Sequence, residues 1–247
     1  MPLYRDDAVV LHTHDLGEAD RIITMLTRGR GRVAAVAKGV RRTTSRFGAR
    51  LEPFTVVDLQ CYEGRSLDTV TQAVTLAPYG AWLARDYHRY TAGAVILETA
   101  ERLSAPTPNP ALYRLTVAAI GSLARGEHDP VATADAYLLR ALALSGWAPS
   151  FGDCARCGRP GPHHLFASSA GGIVCEACAP RGSLEVDRRT LGTLVGLLSG
   201  VWTLVDGTVP EDGRARRRAH EIVAGYTQHH LERRVRSLPH VAPDDRS

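Results

Sequence analysis

Four of the chain's five cysteines fall in two matched pairs, Cys154-x2-Cys157 and Cys175-x2-Cys178, with 17 residues between the pairs. Each pair turns two thiols to one side of a tight knuckle. Two facing knuckles make the tetrahedral four-thiolate shell that zinc takes, with Zn–S bonds of about 2.3 Å. Four thiolates leave no coordination position for a water, so the spacing points to a structural clasp rather than to a metal that activates a nucleophile. A redox role for one Cys-x2-Cys is the weaker alternative, because no strand–helix–strand pattern surrounds it. His163 and His164 lie between the pairs and could replace a cysteine, but four cysteines suffice, and the two histidines read as loop residues. The fifth, Cys61, alternates with apolar residues and is expected to be a buried small hydrophobe.

The second chemistry is electrostatic. From Arg21 to Arg50 the chain carries Arg21, Arg28, Arg30, Arg32, Lys38, Arg41, Arg42, Arg46 and Arg50 without one Asp or Glu, although the whole chain is only +4. A one-sign block makes a local field whatever the net charge. Arg28, Arg30, Arg32, Lys38, Arg41, Arg42, Arg46 and Arg50 are the expected DNA-binding residues. The first three could line one side of a strand, and Phe47 could stack on a base. The plain alternative is a solvated loop, with arginine favoured by a GC-rich genome. Further clusters at Arg214, Arg216, Arg217 and Arg218, and at Arg233, Arg234 and Arg236, are balanced between a contact role and ordinary surface. Trp82, Trp147 and Trp202 read as core. Phosphate-loop, HExxH, GxSxG and zinc-deaminase patterns are missing, so no enzyme is expected.

These groups need a scaffold. A chain of 247 residues, 44% hydrophobic and 23% charged, can build two or three ordinary globular units. MPLYRDD puts acids where a secretory apolar run would begin, and no apolar run approaches the roughly 20 residues of a membrane span. With cysteines in Cys-x2-Cys pairs, a reducing, cytoplasmic location is expected, with no membrane partner. Short β-rich runs, AVVLHTH, RIITMLT, RVAAVAKG, TVVDLQCY and SLDTVTQAVTL, predict a five-stranded small barrel; GVRRTTSRFGARLEP reads as a loop. In TVVDLQCY, Val57, Leu59 and Cys61 should face inward. From Pro78 the texture turns helical, with Leu83, Tyr87, Tyr90, Ala94 and Leu97 as the apolar face of the first long helix. Asn109-Pro110 and Asp129-Pro130 each set an N-cap before a first-turn proline, and Gly146 stops the second of these helices. Two helices follow the cysteines. The fold class is α+β and multidomain: a barrel at 1–79, a helical bundle from 80–150 and 183–247, and a four-cysteine insert at 151–182.

The run DLGEADRIITMLTRGRGRVAAVAKGVRRTTSRFGARLEPFTVVDL resembles the amino-terminal region of the bacterial recombination mediator family RecO, most specifically through KGVRR, SR and LEPF. The order of barrel, helices and cysteine segment agrees across nearly the whole chain. The resemblance implies that the barrel is an oligonucleotide-binding (OB) fold. It also implies a role in the RecF pathway of DNA repair: binding single- and double-stranded DNA, annealing complementary strands without ATP, and helping RecA replace single-strand binding protein. RecR and the acidic tail of single-strand binding protein (SSB) are the implied partners. Some family members lack the cysteines, which fits a structural Zn²⁺ held by Cys154, Cys157, Cys175 and Cys178. The rival reading is a zinc-ribbon scaffold whose basic block docks an acidic partner without touching DNA. An unrecognised zinc enzyme is a third.

Overall fold

Alternation of apolar and polar residues, with turns rich in glycine, folds the first third of the chain into a closed barrel. The computed structural model describes residues 2–45, 47–206, 213–231 and 235–241, and the chain forms two compact units, Met1–Glu127 and His128–Ser247.

In the first unit the strands are β1 (Leu3–Leu16), β2 (Asp20–Thr27), β3 (Gly31–Ala37), β4 (Thr55–Tyr62) and β5 (Asp68–Pro78). They close in the order β1-β2-β3-β5-β4, antiparallel except for a short parallel contact between β3 and β5. This is the order of a five-stranded OB barrel. Ala8, Val10, Ile23, Met25, Val57, Leu59 and Cys61 fill it, and the expected inward trio of β4 is wholly buried. Burial pushes the Cys61 thiol up to about 12, as suits an inert core cysteine. The basic loop between β3 and β4 is not free of structure. It holds a 3-10 turn at Gly48–Leu51, and Val40, Phe47 and Leu51 drop into the barrel core as a plug. Phe47 is only 2% exposed, which corrects its reading as a base-stacking residue.

Three helices complete this unit: α1 (Tyr79–Leu83), α2 (Tyr87–Leu103) and α3 (Pro110–Arg125). Asn109 caps α3 as expected, its side-chain oxygen accepting from Leu112 N at 3.0 Å. α2 and α3 pack against β1 and β2. Val9, Leu11 and Leu26, which alternate with the barrel-filling residues and so face outward, are buried as well. The buried face of α2 is Ala92, Gly93, Val95, Ile96, Leu97, Thr99 and Ala100. Tyr87 and Tyr90 lie off that face, contrary to the sequence reading: small residues here let the helix close on the barrel while the tyrosines stay out. Gly31, at φ 75°, makes the β2–β3 turn fit. A Cβ there would stand 2.1 Å from the Thr107 carbonyl oxygen, and the next residue, Arg32, donates its N–H to Ala105 O at 2.8 Å.

The second unit is built on α4 (Pro130–Leu144), α5 (Arg188–Ser199), α6 (Thr203–Asp206) and α7 (Gly213–His230), with α4, α5 and α7 packed on one another. Asp129 and Asp187 cap α4 and α5, accepting from Ala132 N at 2.9 Å and Thr190 N at 2.7 Å. Between α4 and α7 the buried Asp135 holds His220 Nδ1 at 3.0 and 3.1 Å. Burial pushes the Asp135 carboxyl up. Burial also works against the imidazolium of His220, but the carboxylate more than offsets that and raises its pKa. The cysteine insert forms a small sheet, β6 (Leu165–Ala167), β7 (Gly172–Val174) and β8 (Leu184–Glu185), in the order β7-β6-β8. None of the three tryptophans belongs to a buried core. Trp147 stacks on His230, Trp202 stacks on His128, and Trp82 is 48% exposed. No helix among the described residues is long and apolar enough to cross a membrane.

Candidate nucleic-acid interface and metal centre

The two cysteine knuckles meet where the hairpin of β6 and β7 brings Cys175 back beside Cys154. Gly158, at φ 71°, turns the chain after the first pair, and its N–H donates to Cys154 O at 2.9 Å. The Sγ atoms of Cys154, Cys157, Cys175 and Cys178 all lie within 4.8 Å of one another. A tetrahedron with Zn–S bonds of about 2.3 Å has edges of about 3.8 Å, and Cys157 Sγ stands 3.8 Å from Cys175 Sγ. The donor set and its spacing therefore fit one tetrahedral, thiolate-loving ion such as zinc. Backbone N–H groups of Cys157 and Cys175 pull the Cys154 thiol down to about 6, which favours the ligating thiolate. Hydrogen bonding to Cys175 and Cys157 pushes Cys178 up to about 12. His163 instead contacts Arg159 O at 2.9 Å and His164 is exposed, so neither joins the cluster.

The basic block does not form one patch. β2 and β3 carry its halves to opposite ends of the barrel, separated by the seven residues of β3, about 20 Å of strand. At one end Arg28 and Arg30 sit in the β2–β3 turn rather than on a strand, so the expected one-sided row of Arg28, Arg30 and Arg32 does not form. Arg28 lies 3.6 Å from Asp7 and Arg30 lies 3.6 Å from Glu63, with the Arg30 guanidinium 3.9 Å over the Tyr4 ring. Arg32 donates to Glu101 O at 3.2 Å. At the other end Arg41 is tied to the β1–β2 turn. Its Nη1 donates to Gly17 O at 3.1 Å and its Nη2 lies 3.4 Å from Asp15. Arg21 bridges Asp15 and Glu52 at 3.0 and 2.7 Å.

Lys38 and Arg42 are exposed and make no ion pair among the described residues; Arg50, at the end of the same loop's 3-10 turn, is exposed too, and Arg46 lies outside the described residues. The acid-free run in sequence is thus partly neutralised in space by Asp7, Asp15, Glu52 and Glu63. Exposed pairs near 3.6 Å are worth about 0–1 kcal/mol, so Arg28 and Arg30 can exchange a carboxylate for a phosphate at little cost. In OB barrels the β1–β2 and β4–β5 loops and the β2–β3 face take the ligand. Here Lys38, Arg41 and Arg42 gather at the β1–β2 loop. Arg30 meets Glu63 of the β4–β5 loop. α2 and α3 cover part of the β1–β2 surface.

In the second unit, Arg214, Arg217 and Arg218 of α7 border a groove with Glu185, Asp187 and Glu221, and Arg218 pairs with Glu221 at 2.8 Å. Arg216 lies 3.5 Å from Asp129. This surface is mixed in sign. Arg233 and Arg234 lie outside the described residues, and Arg236 is exposed. Sequence reasoning missed the exposed rings of Trp82, Tyr87 and Tyr90. Their only signal was the arginines and histidine set among them.

Comparison with known proteins agrees with this architecture. Residues 1–79 match the family model for the amino-terminal part of recombination protein O, and residues 84–239 match the model for its carboxy-terminal part. The chain is 54% identical over 243 residues to the DNA repair protein RecO of Frankia casuarinae, covering 98% of this chain and 99% of that protein. It is 53% identical to the DNA repair protein RecO of a Nocardioides species, covering 97% and 99% of the two chains. Against that of Thermobifida fusca it is 52% identical, covering 96% and 98%. The first match ends where the barrel ends, and the second takes in the long helices and the cysteine insert; the chain belongs to the RecO family of DNA repair and recombination proteins.

Proposed function

We propose that the chain is an ATP-independent recombination mediator that binds single- and double-stranded DNA and anneals complementary strands. The observation that carries this reading is the closed β1-β2-β3-β5-β4 barrel with Lys38, Arg41 and Arg42 gathered at its β1–β2 loop. Two strands repel each other through their phosphates. A protein that neutralises phosphates on both releases counterions and lowers that barrier, after which base pairing supplies the driving force. No nucleotide hydrolysis and no base-specific readout are needed, so the protein is read as a mediator and not an enzyme.

Lys38, Arg42 and Arg50 are the leading phosphate contacts, with Arg28 and Arg30 as a second group at the far end of the barrel. Arg32 chiefly holds a loop in place, and Arg41 ties the β1–β2 turn while adding its charge beside Lys38 and Arg42. Zn²⁺ on Cys154, Cys157, Cys175 and Cys178 would supply a structural cross-link for the insert. By family resemblance, the partners are RecR, SSB and, through SSB displacement, RecA, and the site of action is the cytoplasmic nucleoid. The test is binding to labelled single-stranded and duplex DNA across a range of salt concentrations. Binding that weakens steadily with salt supports the reading, and no binding at low salt sinks it in favour of a protein–protein scaffold.

A further inference from the structure

Between the barrel and the body of α2, three large rings stand in solvent: Trp82 is 48% exposed, Tyr87 67% and Tyr90 46%. A buried aromatic contributes strongly to stability, so three left outside within nine residues need a reason. Tyr87 and Tyr90 are three apart on one helix and share its face. Trp82 precedes them across the short Ala84–Asp86 turn.

Their ring contacts are T-shaped rather than stacked. Tyr90 meets Phe54 edge-on, at 5.5 Å between ring centroids and 64° between planes. Trp82 meets Tyr79 in the same way at 6.2 Å and 66°, and Tyr87 meets its neighbour His88 at 5.8 Å and 80°. The stacked ring pairs among the described residues lie elsewhere, Trp202 on His128 and Trp147 on His230.

The mount is rigid. Phe54 is 3% exposed and sits at φ 68°, a left-handed conformation that costs a non-glycine residue of order 1 kcal/mol and is found disproportionately at functional sites. Gly80 and Gly93 close on it: a Cβ at Gly93 would stand 2.9 Å from Phe54 Cε1, and one at Gly80 would stand 2.8 Å from Pro53 O. α1 and α2 are thereby pinned to the end of β4. Charge completes the picture. Arg85 is exposed and makes no ion pair among the described residues, and Arg89 lies between the tyrosines in sequence. The one acid from Tyr79 to Leu97, Asp86, is occupied as the α2 N-cap and by Arg89 at 3.3 Å.

We propose that Trp82, Tyr87 and Tyr90, with Arg85 and Arg89 set among them, form a base-stacking platform for single-stranded DNA. Aromatic faces accept any unpaired base, and the neighbouring guanidiniums meet the phosphates. Bases in a duplex are stacked on each other and have no free face to offer. The platform rests on the DNA-binding reading and adds to it a preference for unpaired strands, which is what an annealing protein must hold before pairing begins.

The experiment measures affinity for a labelled mixed-sequence single strand and for its duplex, with wild type, Trp82→Ala, Tyr87→Ala and the conservative Tyr87→Phe. Stacking is worth about 1–3 kcal/mol per base, so each alanine should weaken single-strand binding by roughly 5- to 150-fold. Duplex affinity should stay within about twofold. The salt slope should not change, because no charge is lost. Tyr87→Phe should retain binding, and the quench of tryptophan fluorescence on adding the single strand should vanish in Trp82→Leu. Unchanged single-strand affinity in both alanine variants overturns the platform and leaves a protein-docking surface. An equal loss on single strand and duplex overturns it as well. A wild type that binds neither DNA overturns the underlying reading and the platform with it.

Discussion

Removing the metal should unfold the insert and spare the barrel. The insert's own sheet is minimal: β6 and β7 have three residues each and β8 has two. A hairpin of that size is marginal at best in water. Its buried apolar set is correspondingly small, chiefly Phe151, Phe166, Ala167, Ile173, Val174 and Val186. A structural four-ligand zinc site, by contrast, carries about 10–16 kcal/mol of apparent binding energy at neutral pH, comparable with the 5–15 kcal/mol that holds a whole domain. Cys175→Ser, or chelation of the wild type, should therefore melt residues 151–186. Phe166, which packs edge-on against Tyr226 at 5.8 Å, would loosen its hold on α7. The barrel belongs to the other compact unit, and its core cluster runs from Tyr4 to Ala73. Amide exchange read segment by segment is the assay. Protection should vanish across β6 and β7 and persist across β1–β5, while DNA affinity per folded barrel stays within about twofold. Cobalt substitution of the native protein should give the charge-transfer bands of four thiolates. A Cys175→Ser protein that keeps its hairpin protected yet loses DNA binding would refute the clasp and make the insert part of the interface, where Arg156, Arg159 and Arg181 would be the candidates.

Two further substitutions probe the scaffold. His220→Ala leaves the Asp135 carboxylate buried without its partner, which should cost about 3–5 kcal/mol of unfolding free energy in denaturant melts. The sign with pH follows from the raised pKa of each group. In the wild type the His220 contribution is full below its unfolded pKa of about 6.5 and fades as pH rises through the raised folded value. In the variant, Asp135 loses the imidazole that lowers its pKa, so the deficit should be small in acid, grow as pH rises through the carboxylate range, and fall again as His220 of the wild type loses its proton. A deficit that is flat from acid to neutral pH would contradict the pairing. Gly31→Ala forces a Cβ against the Thr107 and Ala105 carbonyls at φ 75°. It should cost roughly 2 kcal/mol or more, read as lost amide protection in β2 and β3. A cost below about 0.5 kcal/mol would mean that the turn does not depend on that close approach.

Much of this molecule is legible in the residues alone. Alternation in TVVDLQCY gives the inward trio of β4, and the Asn-Pro and Asp-Pro pairs fix the starts of α3 and α4, because both signals are local. The Cys-x2-Cys pairs are legible for the same reason: four soft ligands at that spacing have few other uses. What the sequence hides is long-range. Asp15 stands opposite Arg21 only because β1 and β2 pair in that register, and Glu52 and Glu63 reach the block from other loops. An acid-free run of chain is therefore not an acid-free surface. Among its cations Phe47 has the sequence context of a stacking residue, but closing a barrel end requires a plug, and the loop supplies one. The face of α2 is hidden from the sequence because apolar size is not the mark of burial there. Close packing of a helix against a sheet selected Ala92, Gly93 and Ala100 instead, and left Tyr87 and Tyr90 outside.

The central claim, that the barrel grips DNA through its loop cations, is tested most directly by the slope of log affinity against log salt on single-stranded DNA for wild type and for Lys38→Ala/Arg42→Ala. Each phosphate contact contributes about 0.7 to that slope. The account predicts roughly micromolar or tighter wild-type binding at low salt and a double variant whose slope is shallower by about 1.4. A double variant with the wild-type slope and affinity would contradict it.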